Sequence, residues 1–214
     1  MPLRRTWSVA ALLLTSSGSW ACRSTDTHPQ IVQPGAPGQE SRIVSASSAA
    51  DLSKVGYTDA DVRFMQGMIA HHLQAVEMTE LLSTRTASED MNKLGLRIQV
   101  SQTDEIRMMR QWLQARGQQV PGPHAHHLAG GMMPGMLSPE EMSRLADAKG
   151  TAFDRLFLEG MIKHHSGALT MVEQLFATPR AGQESEVFAF ASDVDADQRM
   201  EIDRMTVMLR GLQR

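Results

Sequence analysis

Two adjacent histidine pairs, His71-His72 and His164-His165, stand in near-identical surroundings and are the residues of this chain best equipped for chemistry. The segment from Asp61, DVRFMQGMIAHHLQAVEM, aligns with the segment from Asp154, DRLFLEGMIKHHSGALTM, pairing Phe64 with Phe157, Gly67 with Gly160, Met68 with Met161, Ala75 with Ala168 and Met78 with Met171. On a helix, His71 and Met78 lie about 20° apart and Met68 and His72 about 40° apart, so imidazole and thioether share one face. Neighbouring histidines diverge by about 100° and cannot grip one ion from the same direction. The natural pairings are His71 with Met78 and His72 with Met68, repeated as His164 with Met171 and His165 with Met161. A lone methionine stripe is ordinarily core filler, and a lone core histidine is ordinarily satisfied by a carbonyl or carboxylate. Four imidazoles against one apolar core need a partner or must stay neutral, and the duplication favours metal ligation.

Ligand softness selects the metal. Thioether sulfur and imidazole suit Cu(I), or its softer analogue Ag(I), better than Mg, Ca or Mn. A carboxylate-bridged di-iron centre needs a Glu-x-x-His pair on facing helices, and no Glu stands three residues before any His. Glu105 and Glu201, themselves repeated, are either acceptors for His ring nitrogens or parts of a solvated helix face. Between the repeats runs PHAHHLAGGMMPGM, which gathers His124, His126 and His127 with Met132, Met133 and Met136. This tract reads as a second, looser metal site or as a capture loop for the first.

The elements that must position these groups are helices. Apolar residues recur at three and four through both His segments and through a second repeated pair, in which Gln102, Glu105, Ile106 and Met109 match Gln198, Glu201, Ile202 and Met205. Thr58 with Asp61 and Ser138 with Glu141 have capping-box spacing, the latter leading a short helix before the second copy. The expected fold is therefore all-α: two helical hairpins, residues 57–116 and 140–214, burying their stripes together as an antiparallel four-helix bundle and joined by a His/Met-rich linker over 117–139.

The first 21 residues carry Arg4 and Arg5, an apolar run from Val9 to Leu14, then small residues, which is the order of a secretory signal. Cys22 stands where an exported lipoprotein would be cleaved and acylated. Residues 22–56, rich in Ser, Thr, Pro, Gly and Gln, read as a flexible tether. The expected location is periplasmic or otherwise extracytoplasmic, with any membrane attachment through a lipid on Cys22.

Composition narrows the field further. The 214 residues include 16 Met and 8 His but a single Cys, which excludes an internal disulfide framework and zinc sites built on several thiolates. With 21 Lys and Arg against 24 Asp and Glu, the chain lacks the basic excess that nucleic acids select.

The doubled F-x3-M-I-x-H-H-x2-A-x2-M pattern at Phe64–Met78 and Phe157–Met171, together with MPGM ahead of Ser138-Pro139-Glu140-Glu141-Met142 and the two Gln-x2-Glu-Ile-x2-Met sets, resembles the ferritin-like family catalogued as domain of unknown function 305. The resemblance spans about Tyr57 to Arg214. It implies a secreted or periplasmic four-helix protein similar to copper- and silver-binding proteins of metal tolerance. Carried over by position, it points to Met68, His71, His72 and Met78 with Met161, His164, His165 and Met171. Leu158 replaces the Met65 of the first copy, so the halves are not equivalent there.

The expected function is an exported protein that sequesters or hands on copper, as Cu(I), or silver, without catalysis. No nucleophile, phosphate loop or catalytic triad is evident. The competing readings are a ferritin-like metallo-oxidase and a structural bundle in which His and Met only pack.

Overall fold

The computed structural model describes residues 30–33, 41–50, 56–123 and 133–212, and the chain divides into two units, Met1–Ala50 and Asp51–Arg214. In the first, β1 (Ile31–Gln33) and β2 (Arg42–Val44) pair antiparallel, with Ile31 opposite Val44 and Val32 opposite Ile43, and α1 (Ala46–Ala50) comes next. The stretch read as a tether thus contains a short antiparallel strand pair. Its β-branched dipeptides, Ile31-Val32 and Ile43-Val44, are what make pairing favourable. Ile31, Val32 and Ile43 nevertheless remain exposed.

In the second unit the described residues form helices and the turns between them. Its long helices are α2 (Asp59–Glu80), α4 (Glu89–Ala115), α6 (Gly150–Ala177) and α7 (Ser185–Gly211), with short α3 (Leu82–Arg85) and α5 (Pro139–Asp147) between them. Helix α2 packs on α4, α6 packs on α7, and the hairpins meet along α2 and α6. The helix starts match the sequence closely. Thr58 and Asp61 form the expected capping box on α2, Ser138 and Glu141 form that on α5, and Pro139 opens α5 where its missing N–H is harmless. Gly117, at φ +64, ends the first hairpin in the left-handed turn that favours glycine.

Asp61 does more than cap. While Oδ2 accepts the Thr58 N–H at 2.6 Å, Oδ1 accepts the Gly182 N–H, also at 2.6 Å, tying the α6–α7 turn to the start of α2. The buried side chains form two clusters. One gathers Phe64, Met65, Met68, Met109, Trp112, Met171 and Phe190; the other gathers Met78, Met91, Phe153, Phe157, Met161 and Met205. Among the described residues no helix is long and apolar enough to cross a membrane.

Candidate metal centre

The two His pairs sit at mid-length of α2 and α6, where the hairpins meet, and all four side chains are fully buried. His71 and His164 face one another across the seam with ring centroids 3.8 Å apart and planes tilted by 38°. Their neighbours point outward to the other helices, as the 100° step along a helix requires. The His72 Nε2 meets Glu105 Oε2 on α4 at 2.5 Å, and the His165 Nε2 meets Glu201 Oε2 on α7 at 2.7 Å. The repeated glutamates are therefore imidazole partners and not a solvated face. Ser101 donates to the second Glu105 oxygen at 2.9 Å, and Arg97 Nε lies 3.9 Å from Glu201 Oε1.

The central rings are held by the backbone. His71 Nε2 donates to the Pro134 carbonyl at 3.0 Å, and His164 Nε2 donates to the His71 carbonyl at 3.0 Å. A carbonyl or a carboxylate can only accept, so in a neutral ring the proton sits on Nε2 and the lone pair on Nδ1. The carboxylate partners of His72 and His165 likewise accept from Nε2. All four Nδ1 atoms are buried and lack a hydrogen-bond partner. Burial, with the neighbouring imidazoles His72 and His165, pushes the His71 ring down to about 3. The His164 ring is held well below the ordinary range by burial and then by its imidazole neighbours. Burial works against the Glu105 carboxylate, yet hydrogen bonds from His72 and Ser101 hold it below the usual range.

A strap crosses the seam above the rings. Met133-Pro134-Gly135-Met136 closes with Met136 N–H on the Met133 carbonyl, and Gly135 at φ +76 behind a proline is the signature of a type II turn. Gln74 grips the residue just beyond this turn, its amide donating to the Leu137 carbonyl at 3.0 Å and accepting the Leu137 N–H at 2.8 Å. On the other side the strap lies against Gly167, whose α-carbon would be 2.7 Å from a Cβ on Gly135. Gln74 and Gly167 are equivalent positions of the two repeats: one holds the strap, and the other leaves room for it.

Of the residues expected at the site, Met68, Met78 and Met161 are completely buried, Met171 and Met136 nearly so, and Met133 is partly buried against the first cluster. The four imidazoles form a central stack with two outward-turned flanks instead of meeting at one point. Among the described residues, no three His, Cys, Asp or Glu side chains form a group fit to hold a metal ion. His124, His126, His127 and Met132 lie outside the described residues, as do the signal segment and Cys22. Gln74, the Pro134 carbonyl and Gly167 escaped the sequence reading. The MPGM turn was the available clue to the strap, and the loss of Gln74 from the second copy was the clue to its asymmetry. Gln102 and Gln198, noted only as part of the second repeat, are buried one turn before the glutamates and keep side-chain atoms without partners.

The pattern of the family described as Domain of unknown function (DUF305) matches residues 61–209. No curated protein matches the chain. Among solved structures, a DUF305 fragment from Deinococcus radiodurans is 33% identical with a TM-score of 0.61, covering 72% of this chain and 97% of its own. A DUF305 protein from Streptomyces coelicolor, described as secreted, is 28% identical with a TM-score of 0.62, covering 72% and 94%. CopM in its Cu(I)-bound form is 28% identical with a TM-score of 0.56, covering 71% and 96%. CopM has also been solved with Cu(II) and with Ag.

Proposed function

The chain belongs to the DUF305 family, and from the chemistry of its buried imidazoles we propose that it is an exported, non-enzymatic binding protein for Cu(I) or Ag(I), sequestering the ion or handing it on. The observation that carries this reading is the set of four buried Nδ1 atoms without a hydrogen-bond partner, on helices whose buried faces also carry Met68, Met78, Met161 and Met171. An unpaired buried acceptor is costly, and a cation is the partner that this donor set fits. CopM, similar to this chain, carries both copper and silver in its structures, which supports the choice of ion. The secreted relative supports export.

The ligand set begins with His71, His72, His164 and His165 and draws soft sulfur from Met68, Met78, Met161 and Met171, with Met133 and Met136 from the strap. Burial keeps the two central rings neutral, so neither has to shed a proton before its Nδ1 can act as a donor. Hydrogen bonds at each Nε2 fix ring orientation, the glutamates doing so for the outer pair and backbone carbonyls for the inner pair. Neutral donors in a dry core favour a singly charged ion over a doubly charged one. The His124, His126, His127 and Met132 tract is either a second, looser site for the same ion or a capture loop. A carboxylate-bridged di-iron oxidase draws no support, because Glu105 and Glu201 are engaged with imidazoles.

Titration of the metal-free chain with Cu(I) under reducing conditions, against a competing chelator, tests the proposal. Uptake by the wild type and its marked weakening on replacing all four motif histidines by Asn is the expected result. Absence of uptake, or uptake indifferent to those replacements in a variant that circular dichroism shows to be folded, refutes it.

A further inference from the structure

The contacts across the seam fix a register that brings methionines of three helices to one level on each side of the imidazole layer. In the α2–α4 pair, His72 meets Glu105, so one turn along, Met68 stands opposite Met109. In the α6–α7 pair, His165 meets Glu201, and Met161 likewise stands opposite Met205. Across the seam, a Cβ on Gly67 would lie 3.4 Å from the Met171 methyl, and one on Gly160 would lie 3.3 Å from the Met78 methyl. The glycines are shelves on which the methionines of the opposite helix rest, beside Met68 and Met161 respectively. Met68, Met109 and Met171 accordingly share one buried cluster, and Met78, Met161 and Met205 share the other. Five of these six are 0% exposed and Met171 is 9%.

Resting on the metal-binding reading above, we propose that the bundle carries two thioether sites for a soft monovalent cation. Met68, Met109 and Met171 form one, Met161, Met205 and Met78 form the other, and Met109 and Met205 are donors. Methionine is a common gap filler, but leucine fills the same volume with better-defined rotamers. A filler role gives no reason to keep methionine at all three corresponding positions of both copies. Thioether sulfur is the soft donor that both buried clusters supply beside the imidazole layer.

The two sites are unequal. A Cβ on Gly67 would also lie 3.5 Å from Met133 Sδ, whereas the corresponding place at Gly160 is filled by Leu137. The strap therefore brings a fourth sulfur to the first site and a hydrocarbon to the second, and the first binds more tightly.

Ag(I), which is redox-inert under these conditions, is the probe. The full chain labelled with 13C in its methionine methyls is titrated while NMR tracks the methyls, and affinities of the wild type, Met109→Leu, Met205→Leu and Met133→Leu are measured by chelator competition. Leu and Met are close in volume, so the variants keep the fold, which apo melting curves verify. The expected result is that the Met68, Met109 and Met171 methyls shift together before those of Met161, Met205 and Met78. Met109→Leu then weakens the first site about tenfold or more, Met205→Leu the second, and Met133→Leu brings the two closer. If the wild type binds Ag(I) through its histidines while the Met109 and Met205 methyls stay fixed and their Leu variants bind unchanged, this inference fails and the metal-binding reading survives. If the wild type takes up neither Ag(I) nor Cu(I), both fall.

Discussion

Acid should unfold the metal-free protein earlier than its carboxylates alone would dictate. The central rings, His71 and His164, are kept neutral by burial and by their imidazole neighbours His72 and His165, while an unfolded chain binds protons at the ordinary value of 6.5. Their folded pKa is depressed, so the unfolded state holds more protons and stability rises with pH. The contribution is complete above about pH 6.5 and is lost as pH falls toward the folded value, about 3 for His71. The His71 ring contributes about 1.4 kcal/mol per pH unit in that window. At pH 5 this amounts to about 2 kcal/mol, a large share of the roughly 5–15 kcal/mol that holds a domain together, and His164 acts in the same direction. The figure requires only that the His71 ring remain uncharged in the folded protein at pH 5. Glu105, held below the usual carboxylate range, adds its own acid sensitivity lower down the scale. Urea denaturation of chelator-treated protein at pH 8, 7, 6 and 5 measures the effect. The stability should be nearly level from 8 to 7 and then fall steeply, and the fall should flatten in a His71→Asn/His164→Asn variant. Equal stability at pH 7 and 5, or a slope untouched by the double replacement, would refute the argument.

Two further expectations concern the strap. Gly167→Ala places a methyl against the Pro134 carbonyl and the Gly135 backbone, so it should destabilise by about 1–3 kcal/mol, read as a lowered Tm. Gln74→Leu preserves bulk but leaves the Leu137 N–H and carbonyl without their partners, and should cost about 2–5 kcal/mol by urea denaturation.

Much of the bundle was legible in the chain because its signals are local. The Thr58-x-x-Asp61 and Ser138-x-x-Glu141 boxes and the apolar period each act within a few residues, and each lies where the sequence placed it. Repetition told which helices were equivalent. The hidden part depends on contacts between distant segments. Nothing near His71 in sequence announces that its Nε2 will find the Pro134 carbonyl, 63 residues away. The facing of His71 and His164 arises from the seam between hairpins, which periodicity on one helix cannot specify. Glu105 and Glu201 were ambiguous for a related reason: a helical carboxylate looks alike whether it faces water or an imidazole on the next helix.

The unlike residues at positions 74 and 167 bear on how such a molecule can be assembled. A homodimer of one hairpin, folded about a true two-fold axis, would present the same side chain at both places. A glutamine at each would put bulk where Gly167 now admits the Pro134-Gly135 backbone. A glycine at each would leave Leu137 ungripped. Two halves of different sequence satisfy both demands, so covering a nearly symmetric interior from one side requires that the repeats differ, and one polypeptide carrying both keeps the unlike halves paired.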